Sequence, residues 1–359
     1  MKREHMLVMR FSALGDVAMV VPVVYALAKA YPDLRITVLS KAIARPLFER
    51  LPPNVGFMEA DVKGEYRGMK GLNALYRRLA AKQFTMVADL HSVLRSDYLR
   101  MRFKLSRIKL EHINKHRQQR HALVSQKHKQ MRQLSTSFEN YADVFRRLGY
   151  PVDLTLFKSL FSQQQPGGQA TTARGDLSLL PPAICTKGEG DVWIGLAPFA
   201  AHEGKVYPPQ KMAVVIGLLL AKRPQARLFL FGRGPAEDEC FARWTSQWSQ
   251  CTTVGSHCSS LEQELILMSN LDVMVSMDSA NMHLASLTAT PVVSVWGATH
   301  PYAGFYGWNQ PADNAVQAEG LDCRPCSIYG QKRCRRGDMA CMNQIKPETI
   351  VAKIESILK

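Results

Sequence analysis

Leu7-Val8-Met9-Arg10-Phe11, then Ser12-Ala13-Leu14-Gly15-Asp16, then VAMVVPVVYALAKAY over residues 17–31 decide the fold. A short uninterrupted apolar run is a strand covered on both faces. The small and polar residues after it are a turn. The longer apolar stretch, stopped by Pro32-Asp33, is a helix. Arg35-Ile36-Thr37-Val38-Leu39 returns to strand, and Phe84-Thr85-Met86-Val87-Ala88-Asp89 is another strand, followed by a helix from Arg95. Residues 135–148 read as a helix with Phe138, Tyr141, Ala142, Phe145 and Leu148 on one face, ended by Gly149-Tyr150-Pro151.

The same alternation restarts further on. Strands are expected at residues 192–197, 227–231, 272–276 and 291–296, with helices at 211–221, 260–268 and 281–287. Between the two series, Gln163-Gln164-Gln165-Pro166-Gly167-Gly168 opens a stretch poor in apolar residues that contains Pro181-Pro182, which reads as a linker. The expectation is an α/β protein with two Rossmann-like parallel-sheet lobes and a cleft between them: residues 1–165, a linker over 166–190, and residues 191–359. Ligands of such sheets bind at the carboxyl ends of strands, so the loops after strands are where chemistry is sought.

Of 359 residues, 46% are hydrophobic and 21% charged, which excludes a disordered chain, collagen and a coiled coil. No apolar run approaches the roughly 18 residues of a membrane span. The longest, residues 17–30, is interrupted by Pro22 and Lys29. Met1-Lys2-Arg3-Glu4-His5 is charged, but no signal-peptide core follows, so a cytoplasmic protein is expected. Lys and Arg number 46 against 30 Asp and Glu, a net charge of +16 that favours anionic partners.

Gly15-Asp16 joins the first strand to the first helix. Asp16 reads either as a helix cap or as a general base at the strand's carboxyl edge. No GxGxxG stands there, which argues against a dinucleotide in this lobe. Phe231-Gly232-Arg233-Gly234-Pro235-Ala236-Glu237 follows a strand. Gly232 and Gly234 permit close backbone approach to a ligand, and Glu237 is placed to accept hydrogen bonds from a ribose; a tight turn is the alternative. Met277-Asp278-Ser279-Ala280-Asn281-Met282-His283 offers amides at a helix N-terminus that suit a diphosphate, or ordinary capping. His283 reads as a core histidine or a phosphate contact. Lys205, before Val206-Tyr207-Pro208, is a surface lysine or a cation for a departing diphosphate.

Cys323, Cys326, Cys334 and Cys341 form one CxxC knuckle with wider gaps after it. They read as a structural zinc or iron site or as reduced thiols packing a C-terminal loop; no His or carboxylate cluster supplies a catalytic metal site. Residues 95–132 carry twelve Lys and Arg against Asp97 and Glu111. Within the first lobe, this concentration is expected to form an anion-binding surface rather than a merely solvated run.

In order, Arg10-Phe11-Ser12-Ala13-Leu14-Gly15-Asp16-Val17, Asp89-Leu90-His91 with Arg95-Ser96, Lys205 with Tyr207-Pro208, Asp278-Ser279 with Met282-His283-Leu284-Ala285, and Pro291-Val292-Val293 through Gly297 and Thr299 resemble the lipopolysaccharide heptosyltransferases of glycosyltransferase family nine. The resemblance runs from about Met6 to the C-terminus. It implies a GT-B fold, with the acceptor site in the first lobe and the nucleotide-sugar site in the second. It also implies inverting transfer of a heptose from ADP-heptose to a phosphorylated, Kdo-bearing lipid A core, with no cofactor required for catalysis.

Carried over, Asp16 would be the base and Lys205 would meet the diphosphate. Gly232, Gly234, Glu237, Asp278, Ser279, Asn281, Met282 and His283 would hold the donor. Ser12, Gly15, His91, Arg95, Arg117 and Arg120 would hold the acceptor, and the enzyme would rest against the anionic inner face of the inner membrane. The family commonly has Gly and then Pro where Ala280-Asn281 stands here, which implies a reshaped sugar pocket and leaves other nucleotide sugars open. A GT-B sugar-nucleotide epimerase would share the donor lobe without the basic acceptor surface. A nucleic-acid-binding protein would be basic too, but no stacking platform or helix-turn-helix signature is found, so nucleic acid is not an expected partner.

Overall fold

β1 (His5–Met9), β2 (Arg35–Ser40), β3 (Val55–Glu59), β4 (Met86–Asp89) and β5 (Lys109–His112) form one parallel sheet in the order β3-β2-β1-β4-β5. The computed structural model describes residues 4–164, 170–171 and 173–359. Residues 1–3, the boundary expected at 165/166 and the opening of the expected linker lie outside the described residues. In β1 the side chains of Met6, Leu7, Val8 and Met9 are all fully buried, because helices cover both faces. Leu7, Met9, Leu39 and Met58 form one core with Leu75 and Leu79 of α3 (Gly68–Ala80).

The helix expected at 17–31 is broken in two, α1 (Leu14–Ala18) and α2 (Val20–Ala30). Pro22 accounts for the break: it has no N–H to donate to the Ala18 carbonyl, and its ring crowds that oxygen. Between α4 (Leu94–Leu105) and β5 the chain returns to the sheet, and α5 (Arg117–Leu123) precedes α6 (Ser137–Arg147). Thr136 caps α6 in a reciprocal box: its Oγ1 accepts from Glu139 N at 3.1 Å, and Glu139 Oε2 accepts from Thr136 N at 2.7 Å.

A short antiparallel pair, β6 (Gln163–Gln164) and β7 (Ala170–Thr171), precedes the second parallel sheet. That sheet has β8 (Trp193–Ala197), β9 (Arg227–Leu230), β10 (Cys251–Thr253), β11 (Val273–Met277), β12 (Val292–Trp296) and β13 (Ala315–Gln317) in the order β10-β9-β8-β11-β12-β13. This is the doubly wound dinucleotide-fold order. Its helices α7 (Pro209–Lys222), α8 (Pro235–Gln247) and, after α9 (Leu261–Asn270), α10 (Ala280–Leu287) and α11 (Ala340–Asn343), α12 (Pro347–Ile357) cover it. Three of them begin on proline, whose missing N–H costs nothing in a first turn.

The described residues divide into two compact units: residues up to 115 with 135–160, and residues 116–134 with 161 onward. Two expectations change here. The basic stretch at 95–132 does not belong wholly to the first lobe, because residues 116–134 pack in unit 2. Residues 173–190 are not a free linker but are bonded into unit 2. Gly175 N donates to Ser269 Oγ at 2.8 Å, Lys187 Nζ lies 2.8 Å from Asp272, and Arg227 Nη2 donates to Ala183 O at 2.9 Å.

Candidate active site

Each sheet has one point where strand order reverses, between β1 and β4 in unit 1 and between β8 and β11 in unit 2. Loops leaving the carboxyl ends of those strands diverge and leave room for ligands.

In unit 1, Arg10 follows β1 and is 8% exposed. Its Nη1 donates to Leu90 O at 2.7 Å, and its Nη2 pairs with Asp16 Oδ2 at 2.7 Å, so one guanidinium ties the loops after β1 and β4. Asp16 is the third residue of α1, and its Oδ2 also accepts Ala13 N at 3.1 Å. It therefore does cap the helix, as half of a capping box. The carboxylate nonetheless keeps 27% side-chain exposure and is reachable. Tyr141, nearly fully buried, donates to Asp16 O at 3.4 Å. Gly15 is buried beneath this turn, and Ser12 lies half-buried within it.

On the other side of the reversal, fully buried Asp89 accepts His91 N and Ser92 N through Oδ1, at 2.9 and 3.0 Å, with Arg100 Nε 3.3 Å from Oδ2. This turn carries His91, whose Nδ1 accepts Phe11 N at 3.5 Å. Burial, and then the Arg10 and Lys115 cations, push His91 down to about 3, so it is a neutral imidazole at physiological pH. Arg95 is exposed at the start of α4.

In unit 2, Lys205 ends a short turn after β8 and Asp278 follows β11. Lys205 Nζ and Asp278 Oδ2 stand 2.9 Å apart, 16% and 5% exposed. The Lys205 stem packs against Gly330, where a Cβ would come within 2.6 Å of Cγ and where φ is +79°, so glycine is required on both counts. Ser279 begins α10 without capping it through its side chain, and its Oγ lies 3.2 Å from Ser276 Oγ. The first-turn amides, including those of Ala280 and Asn281, carry the positive end of the helix dipole. Met282 and His283, expected to contact the donor, are buried at 0% and 5%.

After β9, Gly234 begins α8 at φ +141°, a conformation that favours glycine. Glu237 Oε2 lies 2.8 Å from where a Cβ on Gly232 would stand. Burial pushes the Glu237 carboxyl up, the neighbouring Asp238 adds to this, and a backbone N–H of Arg233 opposes it.

Two further groups of expected residues belong to unit 2. Arg120, expected on the acceptor side, packs within unit 2: its Nη1 donates to Tyr329 Oη at 2.7 Å and its guanidinium lies 4.9 Å from the Phe305 ring. Arg117, at the start of α5, is exposed in unit 2 as well. The metal site expected at the four cysteines is not formed. Cys323, Cys326, Cys334 and Cys341 border one cavity of about 30 Å³ beside Arg324. They are free thiols, and among the described residues no three histidine, cysteine or carboxylate side chains are gathered closely enough to hold a metal ion.

The ground between them is organised by the buried Arg324 instead, which donates to Gly297 O, Ala318 O and Thr299 O at 2.6, 2.8 and 3.0 Å. Arg10 and Arg324 are the residues that reading the sequence missed. For Arg10 the available signal was an arginine placed directly after a buried strand; Arg324, in a loop of mixed burial, offered none.

The family model for glycosyltransferase family 9 (heptosyltransferase) matches residues 72–333. The chain belongs to this family. Lipopolysaccharide heptosyltransferase 1 of Campylobacter coli is 23% identical over 210 residues, 58% of this chain and 56% of that protein. The chain thus matches little more than half the length of this curated relative. Among solved structures, the family 9 glycosyltransferase of Veillonella parvula superposes with a TM-score of 0.71 at 18% identity, covering 100% of this chain and 98% of that one. The E. coli heptosyltransferase WaaC with ADP gives 0.65 at 16% identity, over 98% and 99%. These likenesses give family 9 membership and the GT-B fold with its two parallel α/β units. Among the described residues no helix is long and apolar enough to cross a membrane.

Proposed function

We propose that the protein transfers a heptose, with inversion, from ADP-heptose to a phosphorylated, Kdo-bearing lipid A core at the cytoplasmic face of the inner membrane. The observation that carries the reading is the pair of charged constellations at the two strand-order reversals: Asp16 held by Arg10 in unit 1, and Lys205 held by Asp278 in unit 2.

In this reading Asp16 takes the proton of an acceptor hydroxyl. The oxygen attacks the anomeric carbon of the donor, the bond to the diphosphate breaks, and ADP departs. A positioned carboxylate contributes roughly 10²–10⁴-fold to such a step. Negative charge developing on the diphosphate is met by Lys205 and by the amides of residues 279–283, so no cofactor is called for. Gly232 and Gly234 let the nucleotide approach, and Glu237 holds its ribose.

Ser12, Gly15, Arg95 and neutral His91 line the acceptor side, His91 as a hydrogen-bonding group without charge. Exposed Arg117 and Lys127 face anionic lipid. Similarity to the E. coli heptosyltransferase WaaC with ADP supports the nucleotide, and the Campylobacter coli relative supports the lipopolysaccharide acceptor. Ala280-Asn281 at the start of α10 makes the sugar the part of the donor most in need of testing.

The test is release of ADP from ADP-heptose with and without Kdo-bearing lipid A. Acceptor-dependent release is expected. Turnover of another nucleotide sugar in place of ADP-heptose would contradict the donor, and release that ignores the acceptor would contradict the transfer.

A further inference from the structure

The face of the first sheet that is apolar under α3 changes character toward the amino ends of its strands. Register places Met9, Leu39 and Met58 in one row, Leu7, Thr37 and Gly56 in the next, and His5 with Arg35 in the last. α3 ends at Ala80, and there the apolar rows give way to a cavity of about 320 Å³ lined by Arg35, Arg45, Arg78 and Lys82 together with His5 and Thr37. His5 begins β1, whereas Arg10 and Asp16 follow its other end. At about 3.3 Å per residue the two ends stand roughly 13 Å apart.

Four cations and one carboxylate, Glu59, border this cavity. Glu59 is engaged by Arg45 at 3.1 Å, and Arg78 Nη1 donates to Glu59 O and Tyr66 Oη at 3.1 and 3.0 Å. Among the described residues no carboxylate pairs with Arg35 or Lys82. Like charges gathered without counterions repel one another, so an anion entering here is met by an uncompensated field. Neutral donors are present too. His5 is 6% exposed and bonds Thr37 Oγ1 through Nε2 at 2.9 Å. Burial, then the Arg35 cation, push it down to about 4, so it is uncharged at neutral pH. Access is open at Gly56 on edge strand β3, where a Cβ would meet nothing nearer than Ile36 O at 3.8 Å.

We propose that this cavity is a second anion site, for phosphate-bearing ligands, at the end of β1 remote from Asp16. Its volume exceeds what a bare phosphate needs and admits a phosphorylated sugar or a phospholipid headgroup. The inference stands whether or not the transfer reading holds, because it uses none of the same residues.

The test titrates inorganic phosphate at low salt into the full chain and into three variants whose melting temperatures confirm folding. Arg35→Ser/Lys82→Ser removes the uncompensated charge. Gly56→Leu fills the cavity and leaves every charge in place. Lys205→Ala reports on the unit 2 site. Phosphate binding at this cavity is expected to weaken about tenfold or more in the first two variants, as losing charge-assisted contacts would cause, whereas in the third only the binding at the unit 2 site is expected to weaken. Vesicles of phosphatidic acid, against phosphatidylcholine, identify the source. Loss of vesicle binding in the first two variants assigns a lipid headgroup, and retained vesicle binding with lost phosphate binding assigns a soluble phosphate ester. The proposal is overturned if the wild-type chain binds neither probe, if both cavity variants bind like wild type, if Gly56→Leu alone is without effect, or if only Lys205→Ala loses phosphate. Each of these would leave the cluster as a basic surface or as cations at the α3 terminus.

Discussion

At the reversal point of the first sheet the cation is the buried partner and the carboxylate the accessible one, Arg10 at 9% side-chain exposure against Asp16 at 27%. At the second sheet both partners are enclosed, Lys205 at 16% and Asp278 at 5%. The same topology thus presents opposite chemistry: a carboxylate on an arginine mount in one unit, and a lysine on a carboxylate mount in the other. A group meant to exchange a proton with an incoming hydroxyl has to be reachable. A group meant to offset charge on a diphosphate acts most strongly where water is scarce. On the proposed reading, the difference in burial matches the difference in task.

The largest effect expected from breaking this comparison is on turnover. Asp16→Asn should lower kcat by about 10²–10⁴, since an amide cannot take the proton. A folded variant within tenfold of wild type would leave Asp16 as a helix cap and no more. Next, Lys205→Ala strands Asp278 as a buried charge and should destabilise unit 2 by about 2–4 kcal/mol, because breaking an enclosed pair costs more than the pair is worth. Lys205→Met combined with Asp278→Asn should recover most of that stability in denaturant melts. If it does not, the pair is not what holds these loops.

Smaller, and shared between the units, is the effect of pH. His5, His91 and His300 are held by burial at about 4, 3 and 4, below their ordinary value. Between those values and about 6.5 the unfolded chain binds more protons than the folded one. Stability is therefore complete above about pH 6.5 and is lost as pH falls, by about 1–2 kcal/mol per histidine at pH 5. Melting temperature should drop from pH 7.5 to 5, with a shallower slope in His91→Asn. A flat profile would contradict the buried neutral rings. The smallest effect concerns the surface: Arg117→Ser with Lys127→Ser should weaken binding to anionic vesicles by about 1 kcal/mol per charge, more at low salt than at high. Unchanged vesicle binding would remove residues 116–134 from the membrane contact.

How much of this was legible in the sequence follows the burial of the strands. β1, β4, β8, β11 and β12 are enclosed on both faces and read as apolar runs. Edge strands β3 and β5 did not, because Val55-Gly56-Phe57-Met58-Glu59 and Lys109-Leu110-Glu111-His112 answer to solvent on one side. Asp16, Lys205 and Asp278 stand out in the sequence because loops after enclosed strands are few. Arg10 was quoted in a motif but not given a task, since a pairing six residues along and a bond to Leu90 O depend on how two loops meet. The basic run at 95–132 misled for a similar reason. Its charges are local in sequence, but Arg120 on Tyr329 and Lys129 on the carbonyls of Asp322 and Arg324 are anchored some two hundred positions away. The cysteine spacing was visible, whereas the way the four thiols border a small cavity beside Arg324 without gathering as metal ligands is a property of the folded loop.

The division of labour between the two constellations is tested most directly by ADP affinity, measured by calorimetry for Asp16→Asn and Lys205→Ala side by side. Asp16→Asn should keep the wild-type Kd within about threefold while Lys205→Ala weakens it about ten- to a hundredfold, the cost of one lost charge-assisted contact. Equal losses in both variants, or loss in Asp16→Asn alone, would contradict the assignment of acceptor chemistry to unit 1 and diphosphate chemistry to unit 2.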